Sequence, residues 1–206
     1  MKLHCFPPSP NTFKVLAAAK HMGVPLDLEF VDLTKGQQRT DAFLAINPTG
    51  RTPVLVDGDL KLWESNAILQ YLGSKTKTPL WPDDAKSRAD IARWQSWQLA
   101  HWQAGVAPMI VERLVKPLVL KVGQPDEAVL AKATEAFHRE APVLDRRLAD
   151  HPYLVNDTLT LADFSVAAPL IYAQQAQMPL EGYGNIQRWL GKLSELPAWR
   201  ETLPRF

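Results

Sequence analysis

The stretch Asn47-Pro-Thr-Gly-Arg-Thr-Pro-Val-Leu-Val-Asp-Gly-Asp-Leu-Lys-Leu-Trp-Glu-Ser-Asn-Ala-Ile68 decides how the chain is read. A loop leads into Thr52-Pro53, then come a short apolar run, an Asp57-Gly58 turn, a second run, and Glu64-Ser65 at the start of a helix. An X-Pro pair entering a strand leaves the backbone groups of Thr52 where a sheet partner need not take them. Glu64 and Ser65 fall where free helix-start amides favour negative charge. The stretch therefore predicts a strand-like docking edge beside an anion pocket, suited to a small extended peptide that carries carboxylates.

Working back toward the N-terminus, Lys2 to Phe6 reads as a strand ended by Pro7-Pro8. Ser9 or Asn11 can cap a helix that runs to about Met22, with Gly23 as its C′ residue. Leu26 to Leu33 suits a second strand, and Asp41 to Ile46 a short helical piece. Val54–Val56 and Leu60–Leu62 read as a hairpin about Asp57-Gly58, and Glu64 to Leu72 as a helix with Ala67, Ile68 and Leu72 inward. The order β-α-β-α-β-β-α implies two parallel strands with a right-handed crossover plus an antiparallel hairpin. This is a thioredoxin-like α/β layout over residues 1–75.

Toward the C-terminus, residues 76–85 read as a linker anchored by Leu80-Trp81, and residues 86–206 as an all-α domain. Its first helix runs from Lys86 to about Val115, with Ile91, Trp94, Leu99 and Trp102 at helical intervals and a kink at Pro108. Pro117 to Pro125 breaks the pattern. A second long helix, Asp126 to Ala149, has Asp126 as its cap and a bend at Pro142. In Leu159-Thr-Leu-Ala-Asp-Phe164, Thr160 and Asp163 form a capping box, with Leu159 and Phe164 as the staple. The helix that follows is apolar almost all round and predicts burial. A last amphipathic helix spans Asn185 to Leu196.

Composition sets limits on function. The 206 residues are 46% hydrophobic and 22% charged, with a formal net charge of +1. Those values suit a soluble globular protein and give no reason to expect a nucleic-acid partner. No apolar run approaches the ~18 residues of a membrane span, and Met1–Pro8 lacks the apolar core of a signal peptide. The single cysteine, Cys5, excludes an internal disulfide and suits a reducing, cytoplasmic setting. It reads as a small buried hydrophobe. The histidines lack metal-ligand spacing, so no metal is expected.

Ser9-Pro10-Asn11-Thr12 occupies the turn from the first strand into the first helix. Thioredoxin-like redox proteins place a Cys-x-x-Cys there, because helix-start amides stabilise a thiolate. Neither Ser9 nor Thr12 can form one, so the sulfur would have to come from a ligand. The Ser9 hydroxyl or the Asn11 amide could then donate to it and lower its pKa. Each residue is equally readable as a helix cap.

Ser9-Pro-Asn-Thr-Phe-Lys-Val15, Phe43-Leu-Ala-Ile-Asn-Pro48, Gly50-Arg-Thr-Pro-Val-Leu55, Glu64-Ser-Asn-Ala-Ile68 and Leu159-Thr-Leu-Ala-Asp163 each carry little alone. In this order and spacing the chain resembles, over nearly its whole length, the cytosolic glutathione transferase family, as a bacterial member of serine/asparagine type. The resemblance implies glutathione as cosubstrate, a small hydrophobic electrophile as second substrate, a detoxifying role and a homodimer.

Residue by residue, the resemblance makes Pro53 a cis-proline and pairs the Thr52 backbone with the cysteinyl part of glutathione. Glu64 and Ser65 hold the γ-glutamyl group, and Gln38 and Arg51 contact the glycyl end or neighbouring backbone. Ser9 matches the activating serine of the theta, phi and tau classes. Ser-Pro-Asn also resembles the nu-class and yeast prion-related pattern, in which Asn11 matters for the thiol. His101 and Trp102 fall on the helix that borders the electrophile site in this family. Two other functions stay open: glutathione-dependent disulfide or peroxide reduction, and a non-catalytic glutathione-binding or regulatory protein of the same fold.

Overall fold

Four short strands and the helices between them build the first of two units in the computed structural model, which describes residues 1–204. One unit is Met1–Pro82 joined by the chain from Leu196 on, and the other is Asp83–Glu195. Strand β1 (Lys2–Cys5) alternates, turning Leu3 and Cys5 inward. It pairs parallel with β2 (Asp27–Phe30) and antiparallel with β3 (Val54–Asp57), which pairs with β4 (Leu60–Trp63). The sheet order is β2-β1-β3-β4.

Between β1 and β2 runs α1 (Pro10–His21), and its start follows from its sequence. The Ser9 side chain accepts from the Asn11 N–H, and Pro10 needs no N–H at the first helical position. The helix stops at Met22, after which Gly23 takes φ +69°, a conformation that costs glycine little. Two 3₁₀ turns, Leu33–Lys35 and Gln37–Arg39, and the single-turn α2 (Asp41–Leu44) lead to β3. Helix α3 (Ser65–Lys75) follows β4. Leu3, Phe13, Leu55, Ile68, Leu69 and Leu72 are wholly buried and form the core that holds α1 and α3 on the sheet.

The second unit is helical. Helix α4 (Ala85–Trp97) is capped by Asp84, passes through a π-helical stretch, Gln98–Trp102, and continues as α5 (Gln103–Ile110). A second π-helical stretch carries the chain to Leu120. Asp126 caps α6 (Glu127–Asp150), accepting from the amides of Ala128 and Val129. Gly105 lets α5 and α6 approach closely, since a Cβ there would stand 2.8 Å from the Phe137 backbone. Helix α7 (Leu161–Ala167) is buried at every residue and begins with the Thr160–Asp163 capping box. Asp145 of α6 accepts from the amides of Asn185 and Ile186, satisfying the first turn of α8 (Gly184–Ser194).

Five expectations need correction. The hairpin loop is Gly58-Asp59 rather than Asp57-Gly58, because Asp57 pairs with Leu60 and Gly58 supplies the positive φ of 59°. The second strand ends at Phe30 rather than Leu33, and Leu28 and Phe30 are exposed on this edge strand. Leu99 is 49% exposed because it stands five residues after Trp94, about 140° round the helix and off the buried line of Ile91, Gln95, Gln98 and Trp102. Helical structure also runs through Pro117 as far as Leu120, where Lys121 ends it in the left-handed region. Lastly, α9 (Pro197–Thr202) packs on α1 instead of joining the helical unit. Trp199 meets Phe13 edge-on at 4.7 Å, and Glu201 pairs with Lys20.

Candidate active site

The starts of α1 and α3 meet in the first unit. Ser9 is half-buried at the head of α1, and its Oγ accepts from the Asn11 N–H at 3.3 Å. The Ser9 O–H is thereby left to donate. Asn11 Oδ1 lies 3.4 Å from Ser65 Oγ, so the hydroxyl donates to Asn11 and the Asn11 Nδ2 group stays available as a donor. Thr12, at the second of the two cysteine-like positions, is wholly buried and faces no solvent. Burial pushes the Cys5 thiol up to about 11, so Cys5 is inert near neutrality.

Helix α3 begins with no cap from the Glu64 side chain, so that carboxylate does not occupy the positive end of the helix. Glu64, exposed at its N-cap, holds φ +68°, outside the usual range for a residue with a Cβ. Such a conformation costs on the order of 1–3 kcal/mol and is typical of ligand clamps. Ser65 and Asn66, the first two helical residues, are 6% and 7% exposed.

Beneath them lies Lys14 of α1, at 0% exposure, with its Nζ 2.6 Å from Asn66 Oδ1. Burial pulls this ammonium down to about 7, and Glu64 pulls the other way. Neither Lys14 nor Asn66 is singled out by the sequence. A lysine on a helix reads as solvated, and its partner lies 52 residues away.

The loop before β3 is tied down from inside. Asn47, 1% exposed, donates to the Arg51 carbonyl and accepts from Thr49 through Oδ1. Gly50, at φ +61°, packs so tightly on the Gln38–Arg39 segment that a Cβ would meet Arg39 Nη1 at 2.7 Å. Gln38 is thus brought beside the 50–53 loop. Among the described residues its Oε1 is buried without a partner; rotating the amide would present Nε2 instead. Thr52-Pro53 is cis, and among the described residues the Thr52 N–H and C=O make no hydrogen bond. Arg51 is exposed. Ser9, Asn11, Gln38, Arg51, Thr52, Pro53, Glu64 and Ser65 all belong to this one unit.

His101 and Trp102 belong to the other. His101 is exposed, whereas Trp102 is wholly buried, stacked on Trp97 at 5.6 Å and tilted against Phe137 at 4.9 Å. Trp102 is therefore a core residue of the helical unit and offers no face to a ligand, which corrects its expected place at an electrophile site. Among the described residues no group of three or more His, Cys, Asp or Glu could hold a metal ion, and no helix is long and apolar enough to cross a membrane.

The geometry can be compared with known proteins. The family model for the glutathione S-transferase N-terminal domain matches residues 1–74, and that for the C-terminal domain matches residues 100–197. Glutathione S-transferase 3 of Zea mays is 34% identical over 209 residues, covering 98% of this chain and 93% of that protein. The crystal structure of glutathione transferase F7 from Populus trichocarpa aligns at a TM-score of 0.90 with 26% identity, covering 98% and 96% of the two chains. A structure of glutathione S-transferase-I bound with lactoylglutathione aligns at 0.88 with 25% identity, covering 98% and 97%.

Proposed function

The chain belongs to the glutathione S-transferase family, and from that premise we propose that it conjugates the thiolate of glutathione to small hydrophobic electrophiles. The observation that carries this reading is the junction of α1 and α3, where Asn11 Oδ1 and Ser65 Oγ stand 3.4 Å apart. A γ-glutamyl carboxylate at the start of α3 and a sulfur at the start of α1 are then neighbours on one small peptide.

The α3 amides take the γ-glutamyl carboxylate, with Ser65 turning its hydroxyl from Asn11 toward it, and exposed Glu64 takes the ammonium. Thr52 offers its N–H and C=O to the cysteinyl backbone in the manner of an added strand, and Gln38 and Arg51 serve the glycyl end. The sulfur meets the Ser9 hydroxyl, the Asn11 Nδ2 group and the positive end of α1. Hydrogen bonds to the charged form favour it. The thiol gives up its proton to solvent, and the thiolate attacks the electrophile, forming a C–S bond as the leaving group departs.

The cytoplasmic setting, the detoxifying role and the homodimer belong to the same proposal. Turnover of an aryl halide should rise with pH through the bound thiol's pKa. If Ser9→Ala and Asn11→Ala both leave that turnover unchanged, the assigned roles are wrong. A second reading, reduction of disulfides or peroxides by glutathione, is favoured by the free Asn11 donor within Ser-Pro-Asn. Parallel assays with an aryl halide and a small disulfide separate the two, and a chain that retains no glutathione on an affinity column contradicts both.

A further inference from the structure

Helix α1 buries Phe13, Val15, Ala17 and Ala18 completely, and Lys14 lies among them at 0% exposure. An ammonium in that environment has lost its hydration, and burial disfavours its charged form. An apolar residue of similar length would fill the space without that penalty. The lysine nevertheless makes one short bond, 2.6 Å from Nζ to Asn66 Oδ1. An ammonium only donates, so it fixes which way the Asn66 amide is turned. Asn66 is the second residue of α3, next to Ser65, whose Oγ reaches Asn11 on the helix that carries Lys14. The two helix starts are therefore linked twice, by Lys14–Asn66 and by Asn11–Ser65.

We propose that Lys14 is a positioning residue of the glutathione site: its buried ammonium fixes Asn66 and the first turn of α3, and supplies positive charge behind the place where the γ-glutamyl carboxylate docks. The inference rests on glutathione being the ligand. Among the described residues Glu64 is the charged group whose field acts on Lys14. On its own helix Lys20 and His21 lie in the last turn, and on α9 Glu201 is engaged by Lys20 while Arg200 lies in the last turn. Burial lowers the free ammonium to about 7, close enough to neutrality for a neutral form to stand beside the charged one. An arriving carboxylate favours the charged form, so binding should draw in a proton.

The test uses S-methylglutathione, whose blocked sulfur removes thiol ionisation from the balance. Calorimetry from about pH 6 to 9 in buffers of different ionisation enthalpy should show uptake of a fraction of a proton by the wild-type protein, largest just above the pKa of the free ammonium. In Lys14→Met the uptake should vanish, the ligand's Kd should rise about tenfold or more, and kcat at saturating glutathione should stay within about threefold. An S-methyl cysteinylglycine probe, lacking the γ-glutamyl group, should bind both proteins equally. If wild-type protein binds S-methylglutathione with no proton uptake at any pH in that range, the proposal is overturned, and this arm needs no variant to fold. A folded Lys14→Met chain that binds as tightly as wild type overturns it too. If wild-type protein binds no S-methylglutathione, the glutathione reading itself is what fails.

Discussion

Removing the Asp163 carboxylate should cost the helical unit about as much stability as a large core truncation. Asp163 is wholly buried, and each of its oxygens serves two donors. Oδ1 accepts from the Leu154 N–H at 3.0 Å and from Trp189 Nε1 at 3.0 Å. Oδ2 accepts from the Thr160 N–H at 2.9 Å and from Thr160 Oγ1 at 3.1 Å. A stranded buried donor costs about 1–3 kcal/mol, so four of them at the low end give a loss of about 4 kcal/mol for Asp163→Ala. Asp163→Asn keeps the shape but turns an NH₂ group toward one pair of donors, for a loss of about 2–3 kcal/mol.

The charge adds a pH signature. Burial outweighs the four donors and holds the carboxyl up at about 6. Between about pH 4 and 6 the folded chain then binds a proton that the unfolded chain has released, so this group's contribution is full below that window and falls as pH rises through it. At about 1.4 kcal/mol per pKa unit the fall is about 3 kcal/mol. Urea unfolding followed by tryptophan fluorescence reads both effects, and subtracting the Asp163→Asn curve removes the slopes of the other carboxylates. A loss below about 1 kcal/mol for Asp163→Ala, or parallel wild-type and Asp163→Asn pH curves, would refute the reasoning.

Two further substitutions test the first unit. Ser65→Ala removes a hydroxyl expected to meet a carboxylate, a bond worth about 1.5–3 kcal/mol. The KM for glutathione should therefore rise about tenfold or more in steady-state assays, with kcat changed far less. Gly50→Ala puts a Cβ 2.7 Å from Arg39 Nη1 and 3.0 Å from the Gln38 carbonyl at a φ of +61°. It should lower the melting temperature by several degrees, at a cost of about 1–2 kcal/mol, and weaken glutathione binding as the Gln38 segment shifts.

Local signals in the sequence carried much of this structure. Ser9, Asp126 and the Thr160–Asp163 pair mark helix starts through side-chain acceptors that act within three residues, so spacing alone reveals them. The β-α-β-α-β-β-α order was legible from short apolar runs set off by proline and glycine. What failed depended on partners or on helix pitch. Leu99, five residues after Trp94, falls off the line that Gln95 and Gln98 hold, and two buried glutamines gave no apolar mark of where that line ran. Residues 197–202 gave no signal of leaving the helical unit, because their anchor is Phe13, far back in the chain. Trp102 looked available on its helix until Trp97 and Phe137 closed over it. Lys14 carries no mark of burial in the sequence, since only the fold places Asn66 against it.

The central claim is that the start of α1 holds the sulfur of glutathione as a thiolate while residues 52–66 hold the peptide. Ultraviolet titration of the thiolate in the binary complex with glutathione tests it most directly. The account predicts a bound thiol pKa at least about one unit below the ~8.5 of a free cysteine, moved back up by Ser9→Ala or Asn11→Ala and left low by Ser65→Ala at saturating glutathione. A wild-type complex whose thiol titrates at the free value would contradict it.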